Sequence, residues 1–291
     1  MEFRVLQYFL AVAREQSFTG AAEFLHLSQP TLSRQLKDLE DELGKQLFFR
    51  GNRGITLTEE GMILRKRAEE IVQLMKKTED EIALSDGFVA GDISIGAGET
   101  DCIRFLVKAQ RAVQQEYPQI YFHVQSGDRI TIVEWLDRGL IDFGLIFGDV
   151  DTAKYECFEI PLRDTYGVLM RRDSPLAEKE AIRPEDLWDK PLILSRQEQA
   201  GGRLLPWFQR ERGQLNIVAT YSLLYNGSIM VDEGVGYALC LDKIINVSGS
   251  SNLIFRPLFP KIEMGTHLIW KKYQILSKAA QKFASRLQEM S

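Results

Sequence analysis

The chain has 291 residues, 45% hydrophobic and 26% charged, which gives a substantial core and room for two or three domains and excludes a disordered chain. Its formal net charge of −5 excludes general adhesion to nucleic acid, so any DNA contact depends on where the charges lie. Cys102, Cys157 and Cys240 are widely spaced, with no CxxC or Cys/His pairing, which fits a reducing compartment and offers no zinc or disulfide frame.

Phe3 to Arg14 predicts an amphipathic helix with Leu6, Phe9, Leu10 and Ala13 inward. No basic-then-apolar leader precedes it and no apolar run is long enough for a bilayer, so a cytoplasmic protein is expected. Ser17 to Arg53 then reads as two short helices, a tight turn between them, and a hairpin-like arm. Ser17 can cap a helix over Phe18–Leu25 whose Ala21, Ala22 and Leu25 share a face. His26, Leu27 and Ser28 form the turn. Ser28 caps a second helix from about Gln29 to Leu43, with Pro30 in the first turn, where its missing N–H does no harm. Leu32, Leu36, Leu39 and Leu43 recur at helical spacing and face inward. Gln29, Thr31, Ser33, Arg34 and Lys37 are left outward near the helix start, with Ser28 and Pro30 beside them. These residue types suit a helix in the DNA major groove, where side chains near its start reach base edges and phosphates. A solvated two-helix corner is the plain alternative. The acidic run Asp38, Glu40, Asp41, Glu42 lies at the far end, clear of any DNA backbone.

Lys45 to Thr58 predicts a β-arm: Leu47, Phe48 and Phe49, a polar tip GNRG, then Ile55, Thr56 and Leu57. Arg50 and Arg53 lie at the tip, placed for phosphate or a narrow minor groove. Thr58 can cap the next helix, and Glu59 and Glu60 suit its positive dipole end. Leu57, Gly61, Leu64, Ala68, Ile71, Met75, Thr78 and Ile82 alternate by four and three, which is a heptad seam. A helix from there to about Leu84 is roughly 40 Å long, too long to lie on a small winged domain. Pairing with a second copy is expected over burial within one chain.

Ser85 to Gly91 reads as a polar hinge. Beyond it strands and helices alternate, which predicts parallel sheet layers. Strands are expected near Ile93–Gly98, Ile120–Gln125, Ile141–Phe147, Tyr166–Met170, Leu192–Leu194, Ile217–Tyr221, Gly236–Leu241 and His267–Lys271. Helices are expected near Ile103–Glu116, Arg129–Arg138, Gly202–Arg212, Ser228–Glu233 and Ser277–Met290.

The segment FRVLQYFLAVAREQSFTGAAEFLHLSQPTLSRQLKDLEDELG, followed by LFFRGNRGITLTEEG, resembles the DNA-binding domain of LysR-type transcriptional regulators, and the resemblance continues through the remaining chain. Gln16 stands where that family commonly has glycine, and Gly20 should weaken its helix by about 1 kcal/mol relative to alanine. The resemblance implies a multidomain chain. An all-α winged helix-turn-helix would cover 1–58 and a dimerising linker helix and hinge 59–88. A two-lobed α/β effector-binding domain, built like periplasmic solute-binding proteins, would cover 89–291. Lobe I is then about 91–161 plus 266–291, and lobe II about 162–265. Also implied are a double-stranded inverted-repeat promoter site, a small-molecule effector, a dimer or tetramer, and RNA polymerase as a further partner. No cofactor, metal or membrane is called for.

Such folds hold ligands at the carboxyl ends of strands, beside helix N-termini. Carried over by position, lobe I offers Gly98, Glu99, Thr100, Asp101, Ser126 to Asp128, and Phe147. Lobe II offers Ser195 to Arg203, with Arg196 and Arg203 as anion holders, and Tyr225 to Ser228, including Asn226. Asp101 and Asp128 serve equally well as helix caps. The family often places serine and threonine at the first strand-to-helix turn, which suits a carboxylate. Here Glu99 and Asp101 flank Thr100, and buried negative charge opposes an anion. An effector with an amine or polar neutral face toward lobe I is therefore expected.

Two other classes compete. An enzyme carried on a helix-turn-helix would need a catalytic constellation, but His26, His123 and His267 are isolated and no P-loop, GxSxG or HExxH occurs. A purely architectural DNA-binding protein would leave most of the chain idle.

Overall fold

Leucines three and four apart and two capping serines build the first of two units, Met1–Asp86 and Gly87–Ser291. The computed structural model describes residues 1–51, 54–83, 89–199 and 204–290. Helices α1 (Phe3–Glu15), α2 (Phe18–Phe24) and α3 (Gln29–Leu43) lead. Ser17 Oγ accepts from Gly20 N at 3.2 Å and Ser28 Oγ from Thr31 N at 3.3 Å, so both expected caps are made. Phe9, Leu32, Leu36 and Leu39 are fully buried, and Phe48 packs its ring on Phe9 and Phe18. Each such side chain contributes roughly 1.5–3 kcal/mol by leaving water. Leu43, expected inside, is exposed, because α3 ends there and Gly44 turns the chain away at φ 64°. Gln16 closes α1 at φ 50°, a left-handed conformation that costs glycine least.

Strands β1 (Phe48–Gly51) and β2 (Gly54–Leu57) form the arm, with Phe48 opposite Leu57 and Gly51 opposite Gly54. Glu40 fastens its base: Oε1 accepts from Leu47 N at 2.7 Å and Phe48 N at 3.3 Å. Helix α4 (Glu59–Ala83) follows. Thr58 Oγ1 accepts from Gly61 N at 3.0 Å and donates to Gln46 O at 2.8 Å.

The heptad seam divides, which corrects the single-purpose seam read from sequence. Gly61 and Ala68 are buried and Leu64 half-buried against the unit's own core. Ile71, Leu74, Met75 and Ile82 remain exposed. A heptad pattern marks an apolar stripe without saying what covers it. The predicted hinge lies largely outside the described residues.

In the second unit, β3 (Gly91–Ala97), α5 (Ile103–Glu116), β4 (Ile120–Ser126), α6 (Arg129–Asp137) and β5 (Phe143–Phe147) form the start of one lobe. β3 lies between β4 and β5, parallel to both. After β6 (Tyr155–Arg171), the other lobe holds β7 (Leu192–Ser195), the single turn α7 (Arg196–Gln199), α8 (Leu204–Phe208) and β8 (Ile217–Tyr221). It continues with α9 (Leu224–Asp232), β9 (Tyr237–Leu241) and β10 (Leu253–Pro257). β7 is parallel to β8 and β9. β11 (Glu263–Lys271) and α10 (Lys278–Glu289) return to the first lobe, where Phe283 packs on Phe122 and Phe143.

Parallel layers therefore hold only inside each lobe, because β6 and β11 run antiparallel to each other and carry the chain between lobes. β6 begins at Tyr155, not at the expected Tyr166. Its first half, YECFEIPLRDT, is charged and contains Pro161, which reads as loop. Pro161 is tolerated because it falls where the β6–β11 register shifts, between Gly265 and His267. β10 has no counterpart in the sequence expectation. Of the helix expected at Gly202–Arg212, Gly202 and Arg203 lie outside the described residues, and the described part is α8, which stops before Gln209 at φ 54°. The helix expected at Ser228–Glu233 begins instead at Leu224. Among the described residues no helix is long and apolar enough to cross a membrane.

Candidate functional site

On α3, Ser28, Gln29, Pro30, Thr31, Arg34 and Lys37 are exposed and Ser33 is half-buried. Spacing of four and three places Pro30, Arg34 and Lys37 on one face. Neither Arg34 nor Lys37 is paired with a carboxylate among the described residues. The hydroxyls of Ser28 and Thr31 lie 2.7 Å apart, ordering the helix start. That end is the positive pole of the helix, which suits phosphate. Asp41 and Glu42 are exposed at the other end, where Glu42 meets the Met1 amino group at 2.5 Å. Arg50 is a backbone partner of Ile55. Its side chain and Arg53 lie outside the described residues. Sequence reasoning missed Glu40 as the group that fixes the arm to α3; as one member of the acidic run Asp38, Glu40, Asp41, Glu42 it gave no separate signal.

Between the lobes of the second unit lies a cavity of about 500 Å³. The first lobe lines it with Glu99, Asp128, Arg129, Ile130 and Phe147. The second lobe side offers Tyr166, Ser195, Arg196, Tyr221, Ser222, Leu224 and Ile244. The expected residues Glu99, Phe147, Ser195 and Arg196 thus come together. Gly98, Thr100 and Ser126 line an adjoining cavity of about 250 Å³ that also includes Glu99. Asn226 is exposed on α9 and lines neither cavity. Arg203 lies outside the described residues.

The charged groups have distinct duties. Asp128 caps α6, accepting from Thr131 N at 2.9 Å. Its bonds with Thr131, and then nearby Arg196, hold its carboxyl below the usual range. Asp101 accepts from Arg104 at 2.5 Å. Arg129, which the sequence marked only as a helix start, donates to the carbonyls of Phe147 and Asp149. Glu99 crosses the cavity: its carboxylate accepts from the N–H of Leu224, the first residue of α9. Leu223 before it supplies no side-chain cap, so one lobe caps a helix of the other. Burial pushes the Glu99 carboxyl up, opposed by that bond.

Behind the cleft, on β6 beside β11, Asp164 is buried. It accepts from the Thr100 hydroxyl and, at 3.3 Å, from Cys102 Sγ. Thr100 Oγ1 in turn accepts from Cys102 N at 2.9 Å. Thr100 is therefore committed to a buried polar knot. The second Asp164 oxygen, Oδ1, is buried and has no hydrogen-bond partner among the described residues. Burial is the main force raising the Asp164 carboxyl, against the bonds from Thr100 and Cys102, with Asp242 adding to the rise.

A carboxyl raised in the fold stabilises it below the unfolded value, near 3.9, and that contribution is lost as pH climbs through the folded value. Asp164→Asn is accordingly expected to stabilise the second unit by about 1 kcal/mol at about pH 7.5 and to be neutral at about pH 3.5. Urea melts of the whole chain at the two pH values check this; equal effects at both would refute it.

The family model described as LysR substrate binding domain matches residues 86–291. The model for bacterial regulatory helix-turn-helix protein, lysR family, matches residues 3–62. The chain is similar to the Hca operon transcriptional activator HcaR of Escherichia coli (strain K12), 28% identical over 99% of this chain and 98% of that one. It is also similar to the uncharacterized HTH-type transcriptional regulator YvbU of Bacillus subtilis (strain 168), 27% identical over 100% of this chain and 99% of that one. Its fold resembles that of full-length CbnR complexed with the target DNA, with a TM-score of 0.75 at 21% identity and 100% of both chains covered.

Proposed function

The chain belongs to the LysR family of transcriptional regulators, with a helix-turn-helix DNA-binding domain and an effector-binding domain, and on that premise we propose how it reads DNA. The family's members are regulators rather than enzymes, so the catalytic alternative falls away. In this reading α3 enters the major groove start first. Gln29, Ser33 and Arg34 reach base edges, while Ser28, Thr31 and Lys37 hold phosphate. Arg50 and Arg53 of the arm reach backbone or the adjacent minor groove. The observation that carries the reading is the Arg34–Lys37 face, exposed and unpaired among the described residues, at the capped end of a helix whose Leu32, Leu36 and Leu39 are core.

Two chains joined along α4 present two such helices to an inverted repeat, about one or more DNA turns apart. The assembled chains, as a dimer or a tetramer, act in the cytoplasm, with RNA polymerase at the promoter as a further partner. A small-molecule effector occupies the interlobe cleft and biases the lobe arrangement, with coupling of about 1–3 kcal/mol to DNA binding. The Glu99–Leu224 bond supports this, since it joins the lobes across the cavity.

Arg34→Ala is expected to cost about 1–3 kcal/mol in operator binding and to relax preference at one base pair. Fluorescence anisotropy against operator and scrambled duplexes measures both. An unchanged operator affinity would show that α3 is not the reading surface.

A further inference from the structure

We propose that the interlobe cleft takes an amine: a small molecule whose ammonium group pairs with Glu99 and whose apolar body lies against Phe147, Leu224 and Ile244. The proposal rests on the reading of the cleft as the effector site and adds the class of molecule that enters it.

Glu99 is the acid with an unmet need. Its carboxylate lines the cavity, half-buried, and accepts from Leu224 N–H. Among the described residues no lysine or arginine pairs with it. A partly desolvated carboxylate with one neutral donor gains strongly from a cation, because charge-assisted bonds are about twice as strong as neutral ones.

The same geometry disfavours an anion at that end. Leu224 N–H, at the start of α9, is the donor a ligand carboxylate would seek, and Glu99 already occupies it. Arg129 turns Nη1 and Nη2 to the carbonyls of Phe147 and Asp149, which fixes its guanidinium there. Arg196 stands near Asp128, whose charge offsets its own. An anion placed there would meet the Glu99 charge, and Lys243, which lines the adjoining cavity with Glu99, is paired with Asp242 at 3.1 Å. The cavity that Glu99 lines also presents Phe147, Leu224, Leu241, Ile244 and Met264, a bed for an apolar body attached to the ammonium.

Three probes of matched shape test this on the full chain by calorimetric titration: 2-phenylethylamine, 2-phenylacetamide and phenylacetate. The wild type is expected to bind the amine most tightly. Glu99→Gln keeps an acceptor for Leu224 N–H but removes the charge, and should weaken the amine about ten- to a hundredfold and the amide far less. Ile130→Trp, at an exposed position on the cavity wall, should block all binding. Phenylacetate binding better than the amine, and blocked by Ile130→Trp, would overturn the amine class and keep the cleft. Binding indifferent to Ile130→Trp would overturn the cleft reading itself. Absence of any binding by the amine, or an amine affinity equal in Glu99→Gln, would also overturn the proposal.

Discussion

Gly61→Ala is expected to destabilise the first unit by about 2–3 kcal/mol and to remove operator binding with it. By helix propensity alone the change should help, since alanine is favoured over glycine inside a helix by about 1 kcal/mol. Packing decides the other way. A Cβ at Gly61 would lie 2.2 Å from the Leu47 carbonyl oxygen, 3.1 Å from its carbon and 3.1 Å from the Leu57 side chain. Two of those atoms are backbone, and that backbone is pinned. Glu40 holds Leu47 N at 2.7 Å, Thr58 N donates to Leu47 O at 3.0 Å, and Thr58 Oγ1 donates to Gln46 O at 2.8 Å. To admit the methyl group, α4 must lift from the base of the arm. Gly20→Ala is the internal control: the nearest atoms to a Cβ there lie 3.6 Å away or more. That variant should be neutral or stabilising, by up to about 1 kcal/mol. Urea denaturation of the two variants side by side gives opposite signs if close packing governs Gly61. The same sign for both would refute the argument.

Gly61 shows what was and was not legible in the sequence. The 4–3 alternation correctly marked an apolar stripe on α4, but spacing cannot distinguish a stripe covered by the same chain from one covered by another. The glycine within it was the available signal, because a glycine in a helix often marks close backbone approach. The capped helices α2 and α3 could be read directly, since a serine followed by an apolar period is a local pattern. Strand β6 could not, because its first half alternates too little and carries charge and Pro161. Missing that half hid Asp164, the buried acid to which Thr100 is committed.

The cleft divides along the same line. Glu99 stood out as an acid where the resembling family favours hydroxyls. The start of α9 did not, since Leu223 and Leu224 carry no capping side chain. Its cap comes from Glu99, and a contact across that sequence distance leaves no local trace. Local patterns were visible, whereas contacts that join distant segments required the fold.

Ile71→Glu combined with Met75→Glu is expected to convert a dimer into a monomer and to lower operator affinity by about 10²- to 10⁴-fold. Both side chains project from the half of α4 that the first unit's own core leaves uncovered, at 41% and 42% exposure, with Leu74 at 45% and Ile82 at 78% beside them. Such a run of apolar side chains on a charged helix is covered most simply by the same stripe of a second copy, with each apolar side chain worth about 1.5–3 kcal/mol when fully buried. Introducing four carboxylates into one symmetric seam desolvates like charges against each other, which outweighs that gain. Fold within each chain should survive, because glutamate is a good helix former and neither position is buried in the single chain. Light scattering at micromolar concentration gives the mass, and anisotropy with a full and a half operator gives the consequence. The double variant should bind the two duplexes about equally, because affinity from linking two half-sites disappears when the link does. A wild-type monomer, or a double variant that still prefers the full operator, would mean that the exposed half of α4 does not join two chains. Amine binding in the cleft should remain unchanged in the double variant, which separates loss of pairing from loss of the effector site.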